Sequence, residues 1–258
     1  MASWERKLDR AEQHLQALAK AIEDFIATDP YAVDRRFDAD GADHVYFFSK
    51  FTDPPDCIGL LVGDAVHNLR TSLDHIVFSL AQKGADAEGV TMKSGAQRST
   101  QFPVTSSTDH FEKQIGLHRL THVAPEAKAV IERLQPYRLS STPDRTWISI
   151  LNALDATDKH RTIPGLGTVV SYFAFTKPAG GIEEPDILPS KVGGHWGISR
   201  EIVRYRFREP HKDVDLEFNP EFTVAIDGAW TNDPADVVLR RYAQHICDDV
   251  VGPLARFF

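Results

Sequence analysis

The sequence predicts an α+β protein: a helical bundle with a small antiparallel sheet. Apolar residues recur at helical spacing through the first half of the chain and again at its end. Between these stretches lie β-branched and aromatic runs that alternate with charged residues. With 258 residues, 42% of them hydrophobic and 10% aromatic, the chain can bury a core without disulfides or a structural metal. The expected organisation is one α+β domain over 1–258. A mainly helical part spans 1–163, with a short hairpin near 33–51. Antiparallel strands span 164–228, and a C-terminal helix over 229–258 returns to the bundle.

The first helix is marked by Trp4, Leu8, Ala11, Leu15, Leu18, Ile22 and Phe25, spaced alternately by four and three, and Asp29-Pro30 ends it. Such a stripe suits either a dimeric coiled coil or a helix packed within its own chain. Residues 33–51 read as a hairpin turning at Asp38-Ala39-Asp40-Gly41. A second helix should run from about Cys57 to Lys83, with Gly84 closing it. The Gly-, Ser- and Thr-rich residues 84–107 read as a loop. A short helix follows a cap among Ser106, Ser107, Thr108 and Asp109, and another runs from about Pro125 to Leu134. A fifth starts with Thr142 as cap and Pro143 as its first residue, ending near Asp158. Strands are expected at 169–176, 201–208, 213–218 and 222–226, and a last helix from Asp233-Pro234 to about Arg256.

The 37 acidic residues outnumber the 29 lysines and arginines, giving a formal charge of -8. That balance excludes a protein that coats nucleic acid through a broad cationic surface, and leaves room only for local contacts. Arg204, Arg206 and Arg208 alternate with Val203, Tyr205 and Phe207, and could suggest a phosphate-binding strand. The next strand carries Asp213, Asp215 and Glu217. One hairpin register opposes Arg208 to Asp213, Arg206 to Asp215 and Arg204 to Glu217, so a ladder of opposite charges is expected instead. The two cysteines, Cys57 and Cys247, form no paired motif, and the first ten residues hold no apolar leader segment. A cytoplasmic location is therefore expected, with no membrane span.

The most informative stretch is Gly63 to His75. Ile58, Val62, Ala65, Leu69, Leu73, Ile76 and Leu80 fall on one side of this helix. Asp64, His67, Asn68, Thr71, Asp74 and His75 fall on the other, with Arg70 at the border. Exposed helix faces usually carry Lys, Glu and Gln. This set forms poorer helix but is suited to proton transfer, metal binding and hydrogen-bond networks.

Arg70 followed five residues later by His75, with Asn68 beside them, resembles the active-site motif of the HEPN superfamily. The resemblance implies a helical bundle, in many members a ribonuclease that needs no metal. It implies that the motif helices of two protomers pair, so that a homodimer acts on RNA or a nucleotide. It implies that Arg70 stabilises the scissile phosphate and His75 moves a proton, with Asn68 and Asp74 beside them. The segments Gly63–His75 and Asp158–Arg161 are also similar to uncharacterised bacterial proteins. The same spacing recurs at Arg206/His211 and Arg240/His245, the second of these on the last helix. His67, Lys159, His160 and Arg161 are candidates for substrate contacts, although cations in a last helical turn also complement the helix dipole.

No cofactor motif is present and none is expected. An alternative is a metal-dependent hydrolase or oxidoreductase, with Asp64, His67, His75, Asp158 and His160 as ligands. A third reading is a non-catalytic nucleotide-binding or scaffold module, in which the polar face is buried and fully hydrogen-bonded.

Overall fold

A computed structural model describes residues 1–38, 42–160, 166–176, 186–188, 201–207, 217–229, 231 and 233–258. It is α+β, as the sequence predicts. The bundle is built from α1 (Ser3–Ile26), α2 (Asp56–Ala87), α7 (Trp147–His160) and α8 (Ala235–His245). Shorter helices join them: α3 (Ser94–Ser99), α4 (Thr108–Gly116), α5 (Pro125–Arg133) and α6 (Pro136–Leu139). The strands are β1 (Tyr31–Phe37), β2 (Asp43–Phe51), β3 (Leu166–Thr176), β4 (Asp186–Leu188), β5 (Glu201–Arg206) and β6 (Glu217–Ile226). Among the described residues, no helix is long and apolar enough to cross a membrane.

The stripe on α1 is buried within the chain. Ala11, Leu15 and Leu18 are almost fully enclosed and join a core that includes Val62, Ala65, Leu69, Leu73 and Ile76 of α2. Each enclosed leucine contributes about 2 kcal/mol of transfer free energy. That burial answers the choice left open by the spacing, in favour of a bundle helix. Lys7 meets Asn68 while His14 meets Asp64, so α1 runs antiparallel to α2.

Helix α2 continues past Gly84 to Ala87, beyond the expected stop. Gly84 lies inside the helix for a packing reason. A Cβ there would stand 1.7 Å from the carbonyl oxygen of His122, so only glycine lets that loop pass. Residues 84–107 are likewise not one loop, since they hold the end of α2 and all of α3. The fifth helix starts later than expected. Pro143–Arg145 form a 3₁₀ turn, and the Thr146 hydroxyl accepts from the Ser149 N–H at 3.4 Å, which caps α7. At the C-terminus α8 passes into a π-helical stretch, Ile246–Val251, before the short α9 (Gly252–Leu254).

One sheet has the order β1-β2-β5-β4, and β3 pairs with β6 in a two-stranded ribbon. All pairings are antiparallel. Tyr31, Phe48, Phe51 and Phe222 cluster at ring separations of 5.1–5.9 Å and tie the hairpin and the ribbon to the bundle.

The charge ladder expected between 204–208 and 213–217 is corrected. Strand β5 is flanked by β2 and β4, and Glu217 pairs with Thr176 of β3. Arg208, Asp213 and Asp215 lie outside the described residues. The arginines find a different acid. Asp43 stands directly opposite Arg206 in register and accepts from it at 2.6 and 2.7 Å, and from Arg204 at 2.9 Å. Arg204 also meets Asp38 and Glu201. The conclusion that these arginines are neutralised stands, with a partner from across the sheet. On the opposite face Tyr46, Val203, Tyr205 and Phe207 form a second small apolar cluster.

Candidate functional site

The polar side of α2 divides between two neighbours. Toward α1, the Asn68 amide donates to the Asp64 carbonyl at 2.8 Å and accepts from Lys7 Nζ at 3.3 Å. The Asp64 carboxylate lies 3.7 Å from His14 and is 63% exposed. Burial holds the His14 imidazole below its ordinary pKa, Asp64 opposing that shift and Arg10 adding to it.

Toward α7, positions on the two helices match as a seam. Gly63 packs on Asp158, with its missing side chain leaving the space that the carboxylate fills. His67 Nδ1 lies 3.2 Å from Asp155 Oδ1. Arg70 Nε donates to Asn152 Oδ1 at 3.0 Å. As α2 positions rise from 63 to 70, α7 positions fall from 158 to 152, so the helices are antiparallel.

At the end of the seam the chain crosses as an extended segment, 102–105, whose backbone is held by side chains. Arg70 Nη2 donates to the Phe102 carbonyl at 3.0 Å, and Asp74 Oδ1 accepts from the Phe102 N–H at 2.9 Å. Arg70 Nη1 closes the triangle on Asp74 at 2.7 Å. On the other flank, fully buried Gln135 accepts from the Thr105 N–H and hydroxyl and donates to the Pro103 carbonyl. Buried backbone groups with no strand beside them require such partners.

These contacts give each expected residue a place. Arg70, with its side chain 10% exposed, bonds inward to three groups of its own chain. Asp74 serves the same clamp. Asn68 is buried beside Lys7. His75 is partly buried, and its Nδ1 is enclosed without a hydrogen-bond partner among the described residues. The third reading required Asp64, His67 and His75 to be buried and satisfied, and Asp64 and His67 are open to solvent. Lys159 and His160 end α7, their side chains outside the described set, and Arg161 lies outside the described residues. Among the described residues, no three His, Cys, Asp or Glu side chains converge as metal ligands. At the second copy of the motif, Arg240 pairs with Glu12 and His245 with Asp249.

Sequence reasoning missed Asp155. Its side chain is 9% exposed, while the His67 ring beside it is 42% exposed. The carboxylate meets one imidazole nitrogen, and the other, Nε2, lies 3.5 Å from the Thr71 hydroxyl. That arrangement fixes the orientation of the imidazole ring. The signal was available as Asn152, Asp155 and Asp158, one helical turn apart on α7.

No protein-family model matches the chain, and neither a curated protein nor a solved structure is significantly similar to it.

Proposed function

We propose that the protein is an acid–base enzyme that cleaves RNA phosphodiesters, with His67 as the group that moves the proton. The observation that carries this reading is the His67–Asp155 pair: a buried acid, a half-exposed imidazole and 3.2 Å between them. The substrate class comes from the resemblance of the same helix to the HEPN motif. In this reading the Nδ1–H of His67 donates a hydrogen bond to Asp155, and Nε2, 3.5 Å from the Thr71 hydroxyl, takes the proton of a ribose 2′-hydroxyl. Asp155 then stabilises the imidazolium. The 2′ oxygen so formed attacks the adjacent phosphorus, the bond from phosphorus to the 5′ oxygen breaks to leave a 2′,3′-cyclic phosphate, and solvent water protonates the departing 5′ oxygen.

Lys7 of α1 brings positive charge to Asn68, the residue after His67 on α2, while Asp64, His67 and Thr71 make the solvent-facing surface of that helix. Arg70 acts at one remove, by fixing Asn152 and the segment at Phe102. A homodimer pairing through α2 remains part of the proposal. Partly exposed Thr71 and exposed Leu60 lie along the helix surface it would use.

The test is cleavage of single-stranded RNA in the presence of a chelator, with chromatography reporting the oligomeric state. Wild-type cleavage that disappears in folded His67→Ala and falls in Asp155→Asn supports the reading. Equal cleavage by wild type and His67→Ala overturns it.

A further inference from the structure

A cleft of about 300 Å³ opens between α4 and the start of α7, with the clamped segment at Val104 and Thr105 as its floor. Its polar lining is Ser106, His110, Gln114, Asp144, Ser149 and Asn152, and Gln114 Oε1 accepts from Arg119 Nε at 3.3 Å. Three of these groups are set for a ligand. Arg70 Nε–H fixes Asn152 by its oxygen, so the amide nitrogen is the end left over, and it has no partner among the described residues. The Ser149 hydroxyl and the Asp144 carboxylate likewise have no partner among the described residues. Ser106 and His110 face each other at 3.5 Å, at the limit of a hydrogen bond, so both remain available.

The chemistry of this lining selects its ligand. Among the described residues no lysine or arginine lines the cleft, and Asp144 repels anions, so the lining favours a neutral ligand over a phosphate or carboxylate. A carboxylate accepts from two adjacent hydroxyl groups, while an amide N–H₂ and a hydroxyl donate back to the same oxygens. The floor is preformed, since Gln135 holds Thr105 and the Arg70–Asp74 pair holds Phe102 before any ligand arrives. Preformed walls lower the ordering cost of binding.

From this juxtaposition we infer that the cleft between α4 and α7 binds the vicinal diol of a neutral ligand, either the ribose of a nucleoside or a sugar ring. The volume suits one such ring. This site is separate from the His67–Asp155 pair and stands without the ribonuclease reading.

The test is a titration of the full-length protein with adenosine, 2′-deoxyadenosine, a methyl hexoside and inorganic phosphate, followed by NMR at the Asn152 amide and the His110 ring. The expected result is saturable shifts, with Kd near the millimolar range, about 1–10 mM, for adenosine or the hexoside. Loss of binding for 2′-deoxyadenosine identifies ribose, whereas binding of the hexoside alone identifies a sugar. Asp144→Asn and Ser149→Ala should each weaken binding about tenfold, the effect of one lost hydrogen bond. Asp144 is exposed, so its replacement leaves the fold intact, which circular dichroism checks. His67→Ala should bind as wild type, so this result is independent of any cleavage assay. No saturable shift from either diol, binding of phosphate alone, or undiminished affinity in Asp144→Asn overturns the proposal.

Discussion

Arg70 and Asp74 grip the same backbone residue from both sides. Arg70 donates to the carbonyl of Phe102 at 3.0 Å, Asp74 accepts its N–H at 2.9 Å, and the two side chains bond each other at 2.7 Å. One turn of α2 therefore replaces the neighbouring strand that residue 102 lacks. Arg70→Ala should destabilise the protein by about 3 kcal/mol, because it leaves Asp74, Asn152 and a buried carbonyl short of a partner. The 28% exposure of Asp74 keeps the cost at the low end of the range for buried pairs. Arg70→Lys should recover less than half of the loss, since a single ammonium does not span three acceptors. Urea unfolding of the three proteins measures this. Wild-type stability in Arg70→Ala contradicts the clamp.

Two glycines of α2 separate a hard contact from a soft one. At Gly84 a Cβ meets the backbone oxygen of His122 at 1.7 Å, whereas at Gly63 it meets the Asp158 carboxylate at 2.4 Å. Alanine gains about 1 kcal/mol of helix propensity at either position. At Gly63 the carboxylate swings aside, so Gly63→Ala should stay within about 1 kcal/mol of wild type. At Gly84 the loop must leave the helix, and a net loss of about 2 kcal/mol is expected. Thermal unfolding compares the two, and equal midpoints contradict the packing described.

These contacts explain what the sequence could and could not reveal. The α1 stripe and the core side of α2 repeat with the helical period, so their burial was legible. The reach of α2 past Gly84 was not, because the reason for that glycine is His122, distant in sequence. The partners of Arg204 and Arg206 were misplaced for a related reason. Local alternation pointed to the following strand, while the chain pairs β5 with β2 and brings Asp43 across. Asp155 escaped notice because a carboxylate matters only beside its histidine, and the antiparallel meeting of α2 and α7 is a tertiary fact.

Acid should unfold the protein partly through Asp43. Its hydrogen bonds from Arg206, opposed by burial and reinforced by Arg204, hold the carboxyl well below the usual aspartate range. A folded value below the unfolded one means stability that is fully present above about pH 4 and declines as pH falls below it. Asp43 is 2% exposed, but Arg206 is 57% exposed and Arg204 keeps Glu201 and Asp38, so Asp43→Asn should cost about 2 kcal/mol at neutral pH through the lost charged hydrogen bonds. The variant should also lose less further stability between about pH 5 and pH 2 than wild type. Parallel acid-limb slopes in the two proteins contradict the assignment.

His75 should be dispensable to the fold. Its Nδ1 is enclosed with no hydrogen-bond partner among the described residues, so the native state carries the desolvation cost of a polar atom with nothing in return. His75→Leu removes that atom and should leave the unfolding free energy unchanged or raise it, by up to about 1 kcal/mol. Differential scanning calorimetry decides this, and a loss above that size contradicts an unsatisfied nitrogen. If RNA is cleaved through His67, the same variant retains cleavage.

Asp155 provides the sharpest separation of structure from chemistry. Asp155→Asn keeps the shape of the side chain and removes the carboxylate charge 3.2 Å from His67 Nδ1. An amide also presents either its oxygen or its N–H₂ to Nδ1, so the histidine is no longer held in one tautomer. If the pair transfers protons during RNA cleavage, kcat should fall by about 10² to 10⁴ while KM stays near wild type, since neither group binds substrate strongly in the ground state. If the pair only joins α2 to α7, Asp155→Asn should lower the thermal midpoint and leave kcat in place. Measuring kcat, KM and the midpoint on one preparation separates the two roles, and an unchanged kcat with a lowered midpoint removes the dyad from the mechanism.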